Sequence, residues 1–449
     1  MSGAPVRRAA ADLLFLTLEK RRTLDEAMAA SEPFGDLDGS DRGFARAIAS
    51  AALRELGRID LALAPLLSRP LQAASPAIRA LLRVGAVQLW RMDVPEHAAV
   101  SETVEAARLW PDARSGGGFV NAVLRRAAAE RPDLDALPAT AIWPAWLATA
   151  FTESLGEAGA DALARAQLTE PGIYLTAKTS PAAVAEVTGG TLEATGSVRA
   201  PGGPVEALAE YGSGDWWVQD PAAALPAKLL MACASDGPAK SGMIMDKSDM
   251  VMGKSPEITA IDLCAAPGGK TLQLCAVGLK VTAVDRSKPR LKRLEENLAR
   301  TGLSAEIIAA DAETWRPAAP ADLLLLDAPC SALGTLRRHP EGAFIKRAED
   351  AARFPDVQYR LLKAATEMVR DGGTIVYCVC TPLKAEGQDV VERAIADGLV
   401  TRLPVTPDEI PGFAHCVTDH GDVLTIPGPD GGHDAFFMSR LSPSGRKSA

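Results

Sequence analysis

Residues 323–330 read Leu-Leu-Leu-Leu-Asp-Ala-Pro-Cys, and the reading of this stretch decides the fold class. A short apolar run closed by Asp and Pro reads as a buried parallel strand whose C-terminal end opens into a functional loop. The loop carries a carboxylate, Asp327, and a thiol, Cys330, at the edge where open α/β sheets bind their ligands. A second apolar run, Thr374-Ile375-Val376-Tyr377, leads in the same way to Cys378-Val379-Cys380. Two cysteine-bearing strand ends in one domain point to thiol chemistry.

Outward from this stretch, strand and helix patterns alternate from Ile258 onward. Strands are predicted at 259–263, 281–284, 305–308, 323–326 and 374–377, with helices at 272–277, 289–301 and 357–369. This is the βαβ pattern of a doubly wound, Rossmann-like parallel sheet. The first strand runs into Cys264-Ala265-Ala266-Pro267-Gly268-Gly269-Lys270, a turn whose paired glycines let the backbone approach a ligand before a helix begins. Its spacing is not that of a phosphate-cradling GxxxxGK[ST] loop. The second strand ends in Asp285, suited either to accept bonds from ribose hydroxyls or to cap the next helix. The third ends near Asp311, suited to an adenine amine. Loop, acid and acid at three successive strand ends indicate a nucleoside cofactor. The missing phosphate grip favours S-adenosylmethionine over a dinucleotide.

Residues 5 to 130 read as all-helical, with apolar side chains at helical spacing such as Phe44, Ile48, Ala52 and Leu56. Ser40 or Asp41 is expected to cap a helix starting at Arg42. Further helices are predicted at 76–92, 97–110 and 119–130, broken at Pro95, Pro111 and Gly116–Gly118. A Pro-interrupted helical connection follows, and then residues 172–220, whose short β-prone, Gly-rich segments suggest a small α+β subdomain. The polar stretch 236–256 reads as a surface loop or insertion. The expected division is 1–135 (all-helical), 136–220 (linker and subdomain) and 221–443 (Rossmann-like domain).

Composition narrows the function classes. The net charge of −9 over 449 residues argues against wholesale electrostatic binding of nucleic acid. Residues 1–130 carry 17 Lys and Arg against 16 Asp and Glu, so the acidity lies in the rest of the chain and a basic face on the helical part stays open. Seven cysteines without zinc spacing predict free thiols. With no stretch of membrane-spanning length and no signal-peptide core, a cytoplasmic monomer away from membranes is expected.

CAAPGGKT at 264–271, VDRSKPRLKRLEENLARTG at 284–302, DAPCSALGTLRRHP at 327–340 and YCVCT at 377–381 resemble the RNA cytosine carbon-5 methyltransferases, specifically their Sun/RsmB branch. SDRGFARAIASAALRELGRID at 40–60, VPEHAAVSETVEAAR at 94–108 and GFVNAVLRR at 118–126 resemble the NusB-like RNA-binding domain fused to these enzymes, and VQD at 218–220 matches the lead into their catalytic domain. The resemblance implies methylation of cytosine carbon 5 in small-subunit ribosomal RNA through a cysteine–cytosine adduct. It implies Cys380 as nucleophile and Cys330 as the group assisting product release; Asp327 is suited to polarise the base. The expected cofactor set is 264–270 with Asp285, Arg290, Asp311 and Asp327. Cys378, like Cys264 and Cys275, reads as a small packed residue.

A transfer-RNA substrate and a non-catalytic RNA-binding scaffold are the alternatives. Arg337 and Arg338 are expected to grip phosphates, and Lys178, Arg42, Arg46, Arg125 and Arg126 read either as wider RNA contacts or as surface charge. The chain departs from the family pattern at Val379, Lys384-Ala385-Glu386-Gly387-Gln388, Glu341-Gly342-Ala343-Phe344 and Tyr174-Leu175-Thr176.

Overall fold

The computed structural model describes residues 3–235, 257–428 and 432–445. The 236–256 insertion lies outside the described residues. The chain packs as two units, one formed by 1–170 with 335–348 and the other by 171–334 with 349–449.

In the first unit, helix Ala4–Lys20 packs against helices Gly39–Arg54, Pro76–Arg91 and Glu96–Leu109, and Gly117–Glu130 joins the same bundle. Leu13, Leu14, Ile48, Leu53, Leu81, Leu82 and Leu124 are buried at the centre. The helix expected from Arg42 starts earlier. Gly39 takes φ +47 and opens it, so Ser40 and Asp41 fall inside the first turn, and Asp38 at the N-cap makes no side-chain bond.

The expected boundary at 135 is not a packing boundary. The buried Arg58 guanidinium donates to the carbonyls of Leu137 and Pro138, and the Arg54 guanidinium to that of Gln167. Segment 335–348 also belongs to this unit. The Arg54 guanidinium donates to Arg337 O at 2.9 Å, Leu24 N to Glu341 Oε1 at 3.3 Å and Arg21 Nε to Ile345 O at 2.8 Å.

The second unit begins with a small antiparallel sheet of β1 (Tyr174–Ala177), β2 (Thr191–Leu192), β3 (Val198–Arg199) and β4 (Trp216–Val218), ordered β2-β3-β1-β4. Leu175, Val184, Val198 and Trp216 form its core, matching the α+β subdomain read from 172–220.

The large sheet contains β5 (Thr259–Leu263), β6 (Lys280–Asp285), β7 (Glu306–Ala309), β8 (Ala321–Asp327), β9 (Val369–Val379), β10 (Val400–Arg402), β11 (Val423–Thr425) and β12 (Phe436–Pro443). The order is β10-β12-β9-β8-β5-β6-β7, with β11 paired to β12. Strands β5 to β9 are parallel, whereas β10, β11 and β12 pair antiparallel.

The Leu323–Leu326 run is explained by burial on both faces. Leu323 and Leu325 join the core with Val376 and Leu272, while Leu324 and Leu326 join Ile375, Tyr377 and Leu362 on the other face. The order reverses beside β5, which pairs with β6 on one side and β8 on the other, and this reversal is where such sheets bind ligands. Among the described residues no helix is long and apolar enough to cross a membrane.

Candidate active site

Two neighbouring edges of the sheet carry the predicted residues. The turn after β5 sits beside the end of β6. Cys264 takes φ 61 and Gly268 φ 109, a backbone conformation that favours glycine, and a Cβ at Gly268 would also displace the Leu294 side chain. Asp285, buried at the end of β6, organises the turn. Its Oδ2 accepts from Ala266 N at 3.2 Å and its Oδ1 from Ser287 N at 2.8 Å, so the capping role and the ligand role share one carboxylate. Arg290 lies 3.4 Å from Asp285 and donates to the Ala266 carbonyl. Asn297 donates to Pro267 O at 3.1 Å.

Asp311 stands exposed beyond β7, accepting from Glu313 N at 2.9 Å. Burial, aided by Asp327 and Asp285, pushes the Cys264 thiol up to about 12, so it stays neutral. Beneath the turn, burial raises the Asp262 carboxyl to about 7, against the opposing bond from Thr271 Oγ1 at 2.6 Å.

The second edge is formed by the adjacent ends of β8 and β9, where Asp327 pairs in register with Cys378. Lys270 Nζ lies 2.8 Å from Asp327 Oδ2, which turns the loop's cation away from any phosphate role. Burial works against the Lys270 charge, but Asp327 overcomes it and holds the ammonium above the ordinary lysine range. Cys378 Sγ donates to Asp327 Oδ1 at 3.5 Å, and burial followed by Asp327 keeps its thiol protonated.

Because parallel strands end at the same level, the loops beyond them emerge side by side, and Cys330 Sγ lies 3.2 Å from Cys380 Sγ. The bond with Cys380, then burial, pushes the Cys330 thiol well above its usual range. Gly334 closes the loop. Its N–H donates to Cys380 O at 2.9 Å, and a Cβ there would stand 1.9 Å from Ala435 O.

The sequence-predicted residues therefore fall into two groups, 264–270 with Asp285, Arg290 and Asp311, and Cys330 with Cys380; Asp327 joins them through Lys270. Several working side chains escaped the sequence reading. Gln219 backs Gly269, 3.3 Å from where its Cβ would be, and donates to Gln273 at 2.8 Å. Cys378 is a partner of Asp327 rather than only a packed residue. Gln358 and Glu386 bind the Cys330 loop. The VQD segment contained Gln219, YCVCT contained Cys378 and the 384–388 departure contained Glu386, but none of these signals indicated the role.

Some expected RNA contacts are corrected. Arg337 is 1 % exposed within the first unit, because its segment packs there, so its guanidinium does not face solvent. Tyr174, Leu175 and Thr176, one of the departures from the family pattern, are buried in β1. Lys178 Nζ donates to Thr301 O at 2.6 Å, and Arg126 to Leu66 O at 3.0 Å. Arg42, Arg46 and Arg125 are exposed.

The donor set fits a sulfonium nucleoside. Carboxylates at 285, 311 and 327 ring the strand ends, and the one lysine of the turn is held by Asp327. Such an edge suits hydroxyls and a cation and opposes a polyphosphate.

Fold and strand-end site together define a Rossmann-like methyltransferase domain joined to a NusB-like helical domain. The family described as 16S rRNA methyltransferase RsmB/F matches residues 250–442, and the NusB family matches residues 4–129. The chain is 35 % identical over 98 % of its length, and 98 % of the relative's, to Ribosomal RNA small subunit methyltransferase B of Xylella fastidiosa. It is 32 % identical to the protein of that name from Pseudomonas putida, with 97 % of this chain and 98 % of the relative covered. The crystal structure of PH0851 shares the fold at a TM-score of 0.69 and 20 % identity, covering 97 % of this chain and 98 % of that one. The chain belongs to the RsmB/F family of methyltransferases.

Proposed function

We propose that the protein methylates carbon 5 of cytosine in small-subunit ribosomal RNA, using S-adenosylmethionine, through a covalent bond between Cys380 and the base. The observation that carries this reading is the thiol pair, Cys330 and Cys380 at 3.2 Å, beside a strand-end carboxylate held by a buried lysine. The relatives' names favour ribosomal RNA over transfer RNA.

Cytosine carbon 5 is a weak nucleophile. Addition of the Cys380 sulfur to carbon 6 places electron density on carbon 5, which then attacks an electrophilic methyl group. When bound, S-adenosylmethionine supplies that methyl, and the 264–270 turn with Asp285 and Asp311 would hold it. Cys330 Sγ lies 3.2 Å from Cys380 Sγ, and an S–H donated from Cys330 would stabilise the attacking sulfur as a thiolate. Asp327, fixed by Lys270 and Cys378, stands to polarise the base at its amine or ring nitrogen. Loss of the carbon-5 proton restores the double bond and expels Cys380, with Cys330 assisting release. The target base must be unpaired or flipped, at a cost of a few kcal/mol.

The test is incorporation of labelled methyl into ribosomal or transfer RNA from cells lacking the gene, followed by nucleoside digestion. Label in 5-methylcytidine of the small-subunit RNA is expected. Label only in transfer RNA would overturn the substrate, and no label in either would overturn the reading.

A further inference from the structure

The sheet positions Asp327 and Cys378 by backbone register, but it does not hold Cys330, which lies on a loop beyond β8. What holds that loop is a pair of buried polar side chains. Gln358, 0 % exposed on helix Phe354–Met368, donates through Nε2 to Pro329 O at 3.0 Å and to Glu386 Oε2 at 3.0 Å. Glu386, 1 % exposed, accepts at the same oxygen from Ser331 N at 2.8 Å. The residues on either side of Cys330 are thus gripped. Glu386 itself sits in the turn that follows Cys380, and its carbonyl accepts from Tyr377 Oη at 2.5 Å. Ser331 Oγ, 3.2 Å from Thr381 Oγ1, closes a ring of bonds joining the two thiol loops.

Burying a carboxylate is costly unless it is used, and here its bonds converge on the loop that faces the nucleophile. We propose that Glu386 and Gln358 are positioning residues, a buried clamp that keeps Cys330 facing Cys380. The consequence for turnover rests on the cytosine-methylation reading, whereas the geometry is testable without RNA. Glu386 also lies near enough to add its negative charge to the factors holding Cys330 as a thiol.

The RNA-free test treats the whole protein with diamide. The two thiol hydrogens pass to the diazene N=N and one S–S bond forms between Cys330 and Cys380, read by peptide mass spectrometry. Glu386→Ala and the volume-matched Gln358→Met should form this link at least about tenfold more slowly than wild type, since a displaced loop loses its near-attack geometry. Glu386→Gln, which keeps an accepting oxygen, should stay within about threefold. With RNA, the first two should lower kcat about tenfold at unchanged KM. Gln358→Met carries the test if the alanine variant does not fold.

Equal linking rates in wild type, Glu386→Ala and Gln358→Met at matched melting temperature would overturn the clamp. So would Glu386→Gln as slow as Glu386→Ala. The expected linking pattern in a wild-type protein that methylates no RNA would support the clamp and sink the functional reading instead.

Discussion

The turn at 264–270 and the paired loops at 327–334 and 378–386 lie on neighbouring strand ends, yet they are built differently. The turn combines a backbone that bends at Gly268, φ 109, with amides and carbonyls tied to three side chains of the next strand and helix, Asp285, Arg290 and Asn297. The thiol loops are held to each other through side chains: Lys270 binds Asp327, and Gln358 and Glu386, the latter in the second loop itself, bind the residues flanking Cys330. On the proposed reading, the first must cradle a cofactor, whereas the second must hold two sulfurs side by side. Side chains that bind main-chain atoms suffice for the first, whereas the second adds a buried side chain–side chain bond, Gln358 to Glu386.

That contrast can be broken from the thiol side most sharply. Cys380→Ala should cut methyl transfer by at least about 10³-fold in single-turnover assays, as loss of a nucleophile does. Next comes Asp327→Asn, which removes the charge facing Lys270. A loss of about 10²-fold in kcat is expected, together with about 2 kcal/mol in denaturant unfolding. The stability loss falls below that of a fully buried pair because the Asp327 side chain is 32 % exposed.

Gly334→Ala probes the closure of the loop. Its Cβ would lie 1.9 Å from Ala435 O and 2.9 Å from Cys380 O, so the backbone must shift. A cost of about 1–3 kcal/mol in unfolding is expected, with activity reduced more than cofactor affinity measured by calorimetry.

The base of the cradle is tested through stability alone. Asp262 titrates near 3.8 when unexceptional and near 7 here, through burial. The folded chain therefore holds this proton over a pH range where the unfolded chain has lost it. Its contribution to stability declines as pH rises from about 4 to about 7, by up to about 1.4 kcal/mol per pH unit. Asp262→Asn should flatten that slope in urea melts at several pH values.

Much of this organisation was legible in the sequence, for reasons tied to particular residues. Strand β5 matches the predicted 259–263 because its apolar run ends at a glycine turn, and β8 declares itself because both faces are buried. The strands after Tyr377 were missed. β10 and β11 have three residues each, too few for a pattern. β12 buries Ser439 and Arg440, the latter paired with Glu409 at 2.5 Å, and these polar residues hide its apolar run.

The two thiols were legible as strand-end residues, but their mutual distance was not. The Lys270–Asp327 pair and the Glu386–Gln358 clamp join positions 57 and 28 residues apart, which only the folded sheet brings together. Arg337 misled for the converse reason: its segment leaves the catalytic unit and is buried with the helical one.

In the proposed reaction Cys380 bonds to the base and Cys330 assists its release. The most direct measurement is mass spectrometry of the Cys330→Ala protein incubated with S-adenosylmethionine and small-subunit ribosomal RNA, denatured and digested. A methylated cytosine adduct on the peptide containing Cys380, accumulating above the wild-type level, is expected. An adduct on a different cysteine, or methylated RNA released at the wild-type rate without any adduct, would contradict these roles.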